Sequence, residues 1–282
     1  MSRPLVALAL AVLLSLPTTR AAAQLPGDAP RLRILVVNDD GYRAPGLVAL
    51  VDSLMPLGDV FVAAPLEQQS GTGHGITYRE PITFFESGNP QGVPWFAIDA
   101  RPATVTRIAL TVLMDSLPDL VVSGINTGDN VGVSAWVSGT VAAAREGALH
   151  GLPAVAVSVN AGGDVAYYRV AAGWARRVLE TLIRDGLVHA PLLLNVNVPA
   201  GGPQGIRVAS MSLALGNQRY ERRASPRGVD YLWDDWSPAD EDPTEGTDLY
   251  WFRRGFVTVT PLTVDQTDAA MGSRLEEVFG GR

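Results

Sequence analysis

Length, composition and charge narrow the classes of protein to consider. The 282 residues, 47% of them hydrophobic, are enough for one α/β domain of ordinary size or for two small ones. A net charge of -7 without a basic run argues against a nucleic-acid groove, and the absence of cysteine excludes disulfides and thiolate metal sites. A phosphate substrate would therefore be held by a metal ion or by backbone donors rather than by general charge attraction.

The first residues are typical of a secretory signal peptide. Arg3 precedes an apolar stretch at 5–16, and small residues at 21–23 precede Gln24. The apolar stretch is too short to span a membrane, and no second segment of spanning length follows it. We expect cleavage after residue 23, export to the periplasm or another extracytoplasmic compartment, and a loose lead at 24–31. The alternative is a retained or lipid-anchored helix.

The first strand of the predicted fold ends in a pair of acidic residues. Residues 34–37 form an apolar, β-branched run, which is typical of a strand buried in a parallel sheet. Asp39 and Asp40 follow at its carboxyl end, where open α/β sheets bind ligands. Adjacent carboxylates raise each other's pKa unless a cation lies between them, and Gly41 would let the backbone turn so that they converge. A solvated polar turn stays open as the alternative, because Asp and Gly are also common in turns.

The next segment predicts a β-α-β unit and hence a parallel sheet. A helix begins near Pro45 and ends at Gly58, and a second strand at 60–64 follows it. The glycine-rich loop at 66–78 lacks the dinucleotide-binding pattern, which argues against a dinucleotide-dependent oxidoreductase. Because this loop follows a neighbouring strand, we expect Ser70 to lie in the same crevice as the aspartates.

Further elements alternate along the chain in the same way. They are a hairpin at 82–98, a helix at 104–114, a third strand at 120–122, a helix at 141–149, a fourth strand at 153–159, a helix at 167–184 and a strand at 192–198. The third strand is followed by a polar loop at 123–132. Ser138, Gly139 and Thr140 open the helix at 141–149, where free N–H groups and the helix dipole favour a phosphate. Simple capping by Ser138 is the alternative.

The tail changes character after the last of these strands. Strands are predicted at 205–215 and 256–262, with a long polar segment at 216–249 between them and a helix at 265–282. A segment of that length is unusual as a loop inside a compact domain, so we expect an arm between subunits. Calcium binding there is disfavoured, because the glycine and closing glutamate of a calcium loop are out of register.

The loops at the strand ends together resemble the SurE survival-protein family over about residues 32–268. The motifs are Asn38-Asp39-Asp40-Gly41, Ser70-Gly71, Ser123-Gly124-Ile125-Asn126 and Ser138-Gly139-Thr140, with Glu245-Gly246-Thr247-Asp248 and Val259-Thr260-Pro261-Leu262 in the tail. The resemblance implies a metal-dependent nucleoside monophosphate phosphatase. It also implies a Rossmann-like, three-layer parallel-sheet α/β core at 32–215, a β-rich oligomerisation arm and closing strand at 216–262, and a terminal helix at 263–282, with exchange of the arm giving a homodimer or homotetramer.

The resemblance also implies the residues of the site. One divalent cation per subunit, Mg²⁺ or Mn²⁺, would be held by Asp39, Asp40, Ser70 and Asn126. The phosphate of a small-molecule ester would be held by Asn130, Ser138, Gly139 and Thr140. Of the two carboxylates, Asp39 is the better candidate to orient or deprotonate the attacking water. An aspartyl-phosphate intermediate stays open as an alternative mechanism.

The sequence departs from the family pattern at three points. Val137 stands where the family usually has Tyr, and the loop at 66–69 lacks the usual Asp and basic residues. The family is mostly cytoplasmic, whereas this chain carries the export pattern. A non-catalytic periplasmic binding protein for nucleotides or phosphate is the rival function, and His74 is a weaker candidate for a catalytic acid.

Overall fold

A computed structural model describes residues 31–162, 164–188 and 192–280. The predicted signal peptide and all but the last residue of the predicted lead lie outside the described residues. The strands are β1 Leu32–Val37, β2 Gly58–Pro65, β3 Phe84–Glu86, β4 Trp95–Ile98, β5 Leu120–Thr127, β6 Ala154–Val159, β7 Leu193–Val198, β8 Ile206–Val208, β9 Tyr220–Ala224, β10 Asp230–Asp234 and β11 Val257–Leu262. The helices are α1 Pro45–Leu54, α2 Pro102–Ile108, α3 Ser134–Val137, α4 Gly139–Leu149, α5 Val165–Arg184, α6 Asp248–Arg253 and α7 Ala269–Phe279, with a π-helical turn Ala109–Leu113 after α2.

Nine of the strands form one mostly parallel sheet in the order β3-β4-β2-β1-β5-β6-β7-β11-β8. Strands β4, β2, β1, β5, β6 and β7 run parallel, while β3 and β11 are antiparallel to β4 and β7. After β1 the chain forms β2 on one side of β1, and it later forms β5 on the other side of β1. The crevice beyond the carboxyl end of β1 is therefore a topological switch point, where open α/β sheets bind ligands.

Helices cover both faces of the sheet, which confirms the predicted three-layer α/β class. Side chains of β1 alternate between two cores: Ile34 and Val36 pack under α1 and α5, whereas Leu35 and Val37 pack under α2 and α4. Fully burying one such side chain contributes roughly 1.5–3 kcal/mol, so β1 is stabilised from both sides. The longest described helix is α5, and no described helix combines the length and apolarity that crossing a membrane requires.

Gly58 begins a strand instead of ending a helix, so the predicted helix end was wrong. Helix α1 ends at Leu54, and Gly58 is the first residue of β2. A Cβ atom at Gly58 would lie 2.1 Å from the backbone oxygen of Leu32 in β1. The glycine is therefore required by a close approach of two strands, which local sequence does not reveal.

The third predicted strand is longer than expected. Strand β5 continues through Ser123 to Thr127, so Asn126 lies in the strand and not in a loop after it. The pairing of β5 with β6 shifts register between Ser123 and Asn126. Such irregularities redirect side chains near the ends of strands, and this one occurs at the edge where the predicted ligands meet.

The tail contains less regular structure than predicted. Of the predicted strand at 205–215, only β8, with 3 residues, is present. The residues after it make most of their backbone hydrogen bonds outside the sheet. Strands β9 and β10 form a separate antiparallel pair, and every residue in both strands is exposed. The predicted closing strand and terminal helix are present as β11 and α7. The predicted boundary between core and arm stays a prediction.

Candidate functional site

The paired aspartates lie in the turn that follows β1. The Asn38 side chain donates to the backbone oxygen of Gly41 at 2.9 Å, and Gly41 has φ of 99°, a left-handed conformation that favours glycine. This turn buries Asp39, which is 3% exposed, and leaves Asp40 partly accessible. The two carboxylates consequently lie at the switch point of the sheet, as the sequence predicts.

The start of α4 is packed directly against Asp39. The Thr140 hydroxyl donates to Asp39 Oδ1 at 2.5 Å, and both side chains are buried. A Cβ atom on Gly139 would lie 2.8 Å from Asp39 Oδ2, so only glycine fits there without displacing the carboxylate. The predicted substrate segment and the predicted catalytic carboxylate are therefore in contact, although about a hundred residues of sequence separate them.

Burial makes the charge of this pair costly. It raises the pKa of Asp39 to about 7, because loss of solvation and the nearby Asp40 charge outweigh the Thr140 hydrogen bond. Burial also raises the pKa of Asp40, an effect that the hydrogen bond from Thr127 N at 3.0 Å partly offsets. A cation between the two carboxylates would remove this penalty.

The serine loop, residues 66–78, crosses the same crevice. Gln69 N donates to the backbone oxygen of Asp39 at 2.8 Å, which fixes the loop to the end of β1. Ser70 is exposed, and its hydroxyl accepts from the Gln68 side chain at 3.2 Å. Gly73 N donates to the Val137 oxygen at 2.9 Å, just before α4. The loop thus connects the aspartate turn with the start of α4.

Asn126 immediately precedes Thr127, the residue that contacts Asp40. The Asn126 side-chain nitrogen donates to the Gly128 oxygen at 2.7 Å, so the side-chain oxygen is the atom that could face a cation. The adjacent Thr127 N is the donor to Asp40. The structure therefore brings Asp39, Asp40, the serine loop and Asn126 to one edge, while their roles as ligands stay predictions.

The donor atoms of this set fit a hard divalent cation. Two carboxylates, a hydroxyl and an amide oxygen are the ligands that Mg²⁺ and Mn²⁺ prefer. Across residues 31–162, 164–188 and 192–280, no group of three or more His, Cys, Asp or Glu side chains is arranged so that it could hold a metal ion. The predicted set contains only two such residues, so its donors would be oxygen atoms of mixed chemistry, unlike the ligands of a zinc site.

Ser138 caps α4. Its Oγ accepts from Val141 N at 3.1 Å, which is the capping alternative stated from the sequence. Capping satisfies one of the four free N–H groups at a helix start, so it is compatible with phosphate binding by the remaining groups. Binding of substrate by Ser138, Gly139 and Thr140 stays a prediction.

Asn130 is fixed by residues that the sequence analysis did not single out. Asn130 N donates to Asn197 Oδ1 at 2.7 Å, its oxygen accepts from the Asn195 side chain at 2.8 Å, and its own amide donates to Ser158 Oγ at 2.8 Å. Within the described residues, no hydrogen bond joins Asn130 to Asp39. The available signal was a pair of asparagines at alternate positions of an otherwise apolar strand. The predicted contact of Asn130 with substrate stays a prediction.

A cavity of about 390 Å³ opens beside Asp40. Its wall includes Arg43 from the segment before α1 and Glu67 and Gln68 from the serine loop. Arg43 is exposed and lies over the Tyr42 ring, with 4.8 Å between the guanidinium carbon and the ring centroid. The cavity therefore places a cationic group, Arg43, on the same wall as Asp40, which the loop sequence alone did not predict.

A mostly parallel α/β sheet with paired carboxylates at its switch point, one buried and one partly accessible, defines a Rossmann-like domain with a candidate oxygen-donor site. The chain belongs to the SurE family: the family model Survival protein SurE matches residues 34–221, which confirms the resemblance. The chain is 43% identical over 238 residues to 5'-nucleotidase SurE 1 of Thermus thermophilus, covering 84% of this chain and 93% of that protein. It is 41% identical over 251 residues to 5'-nucleotidase SurE of Rhodopirellula baltica, covering 87% and 98%.

A solved structure shows the same architecture. The crystal structure of the SurE protein from Aquifex aeolicus superposes with a TM-score of 0.75 at 31% sequence identity. The match covers 87% of this chain and 99% of that one. The Rossmann-like fold predicted from the sequence is thereby confirmed.

Proposed function

We propose that the chain hydrolyses phosphate monoesters, with nucleoside monophosphates as the substrate class and a divalent cation as cofactor. The related 5'-nucleotidases support the reaction class. The observation that carries the proposal is the contact between the buried Asp39 carboxylate and Thr140 at the start of α4. That contact joins a carboxylate able to handle a proton with a helix start able to hold an anion.

Asp39, Asp40, Ser70 and Asn126 would hold Mg²⁺ or Mn²⁺. Such a cation, when bound, offsets charge on the phosphoryl group and lowers the pKa of a water. The donor chemistry of these residues, and the costly charge of the buried Asp39 beside Asp40, support this assignment. The cavity beside Asp40 supports access of a small ester from solvent.

The residues of the chain divide the reaction between them. Asp39 would orient the attacking water and take its proton, while the Thr140 hydroxyl donates to Oδ1 and fixes the carboxylate. The water oxygen forms a bond to phosphorus, and the ester oxygen leaves with its bonding electrons and takes up the proton that Asp39 accepted, directly or through solvent. The N–H groups and dipole of α4 stabilise the phosphoryl oxygens as charge develops. The burial of Asp39 favours water attack over an aspartyl-phosphate, which would need its carboxylate to reach phosphorus directly.

A substrate panel with metal removal tests the proposal. We expect release of phosphate from nucleoside monophosphates in Mg²⁺ or Mn²⁺, and loss of that release in EDTA that excess cation reverses. Sugar phosphates and polyphosphate in the same panel define the ester preference. Tight nucleotide binding without phosphate release would favour the rival function, a periplasmic binding protein.

The proposed partner of the arm is a second copy of this chain. Its hairpin exposes large apolar side chains, and two-stranded sheets are marginally stable in water by themselves. These side chains are Tyr220, Val229, Tyr231, Leu232, Trp233 and Trp236. Light scattering on a chain lacking 217–249 should give smaller particles than the full-length chain, and an unchanged particle mass would refute a joining role.

The proposed location is extracytoplasmic. The charged start, apolar stretch and small residues at the N-terminus support export, and the family match begins only at residue 34. N-terminal sequencing of the protein from a periplasmic fraction should begin at or near Gln24. Recovery of soluble cytoplasmic protein with Met1 intact would contradict export.

A further inference from the structure

A buried carboxylate connects the serine loop with the helix that faces Asp39. Glu146 of α4 has a side chain that is 1% exposed, and it contacts three basic side chains. The distances from its carboxylate are 2.7 Å to Arg107 Nε, 2.9 Å to His74 Nε2 and 3.3 Å to His150 Nε2. Burying a carboxylate costs free energy unless it is paired in this way. The folded structure therefore depends on Glu146 keeping its partners.

The three partners of Glu146 come from different parts of the chain. Arg107 lies in α2, His150 caps the end of α4, and His74 lies in the serine loop. Of these three, His74 alone connects a segment of the candidate site to α4. Within the described residues, the buried His74 Nδ1 has no hydrogen-bond partner, so the ring is held through Nε2 and Glu146.

The exposed Ser70 lies between two fixed points of the loop. Gln69 N donates to the Asp39 oxygen at 2.8 Å on one side. On the other side, Gly73 N donates to the Val137 oxygen at 2.9 Å, and the adjacent His74 contacts Glu146 at 2.9 Å. Gly71 and Gly73 have φ of 72° and 53°, so the backbone next to Ser70 is intrinsically permissive. The position of the Ser70 hydroxyl therefore depends on the two fixed ends.

We infer that His74 and Glu146 are positioning residues, which place Ser70 against the paired aspartates and the start of α4. This inference rests on the proposed metal site. Because Glu146 belongs to the same rigid helix as Thr140, the His74 contact and the neighbouring Gly73–Val137 hydrogen bond together set the serine loop relative to the helix start that contacts Asp39. His74 acts through the loop and is not itself a catalytic acid.

The test compares two imidazoles that share one carboxylate. His74→Ala removes the loop contact, while His150→Ala removes the contact at the far end of α4 and is the matched control. We expect His74→Ala to weaken Mn²⁺ binding roughly tenfold, as is typical of residues that orient metal ligands, and His150→Ala to leave it unchanged. Calorimetric titration of the full chain with Mn²⁺ measures this without requiring turnover.

Further measurements separate positioning from loss of stability. Thermal unfolding should show both variants folded, and His74→Gln should recover part of the Mn²⁺ affinity, because its amide can donate to Glu146. Equal weakening by His150→Ala, or wild-type affinity in His74→Ala, would overturn the inference and leave the proposed function intact. A wild-type chain that neither binds Mn²⁺ nor hydrolyses phosphate esters would overturn the proposed function, and the inference with it.

Discussion

The aspartate edge of the sheet and the β9–β10 hairpin differ in which kinds of side chain are buried and which are exposed. At the aspartate edge, polar groups are buried and bound to other parts of the same chain, as in the Thr140–Asp39 contact. In the hairpin, large apolar groups such as Trp233 face solvent. The buried polar groups have their hydrogen-bond partners within one chain, whereas a group of exposed apolar side chains is typical of a surface that binds a partner.

The largest expected effect tests whether the aspartate edge is catalytic. Asp39→Asn should lower phosphatase activity by at least about a hundredfold, because an amide cannot accept the proton. Asp40→Asn should lose metal affinity and regain part of its activity at high Mn²⁺. Activity measured against Mn²⁺ concentration distinguishes the two variants. Equal recovery of both variants would show that Asp39 is only a metal ligand. Full activity of both at limiting metal would show that the active site is not at this edge of the sheet.

Acid should remove the stability that the buried Glu146 contributes, whereas the exposed ion pairs of the hairpin should matter little. Burial by itself would raise the pKa of Glu146, but hydrogen bonds from His74 and Arg107 lower it to about 2, below its ordinary 4.5. A lowered pKa gives stability that is present above pH 4.5 and lost as the pH falls toward 2. This contribution is on the order of 3 kcal/mol.

Urea unfolding at pH 7 and pH 3 measures that contribution. Glu146→Gln should be less stable than wild type at pH 7, and the gap should narrow at pH 3. Glu221→Gln is the matched control, because it removes an exposed pair with Arg223 in the hairpin and should change neither curve measurably. A gap of the same size at both pH values would show that the Glu146 charge does not carry the effect.

Substituting the glycine against Asp39 should disturb the site more than the fold. Gly139→Ala places a Cβ atom 2.8 Å from Asp39 Oδ2, which should cost about 1–3 kcal/mol of stability and displace the carboxylate. Gly173→Ala in α5 is the control, since a Cβ atom there meets nothing within 4 Å and should stabilise by about 0.5–1 kcal/mol. Steady-state kinetics and denaturant unfolding of both variants check this. Normal activity in Gly139→Ala would show that the Asp39 position is not critical.

The smallest expected effect on folding lies in the hairpin. Trp233→Ser should change the free energy of unfolding by less than about 0.5 kcal/mol, because the side chain is exposed within its own chain. Association between subunits should weaken, since an apolar group that a partner could bury is lost. Sedimentation across a concentration series measures association. Unchanged association with reduced stability would place the Trp233 contact within its own subunit.

The fold was predictable wherever local sequence carries the signal. The apolar run of β1 and the periodicity of α5 follow from alternation and helical spacing, and both are present in the structure. Gly58 was misassigned because its role comes from the Leu32 oxygen of another strand. Strand β5 was predicted too short because it continues through polar residues and a register shift.

The candidate site was predictable in composition and less so in contacts. Asp39 and Asp40 stand out because two carboxylates end an apolar strand. The pairing of Glu146 with His74 joins residues 72 positions apart, and no local sequence pattern indicates this contact. Asn195 and Asn197 stand out locally as polar residues in an apolar strand, but their partner Asn130 belongs to a different segment. Long-range polar contacts of this kind depend on the assembled sheet.

The placement of β11 between β7 and β8 has a consequence for a chain that is cut. The arm leaves the sheet after β8 and returns as β11, which pairs with both β7 and β8. A protease acting at the exposed turn 225–229 would divide the chain into two fragments, and the smaller fragment would contribute β11 from inside the sheet. The two fragments should stay joined as one nicked particle in native buffer and separate only when the sheet itself is unfolded.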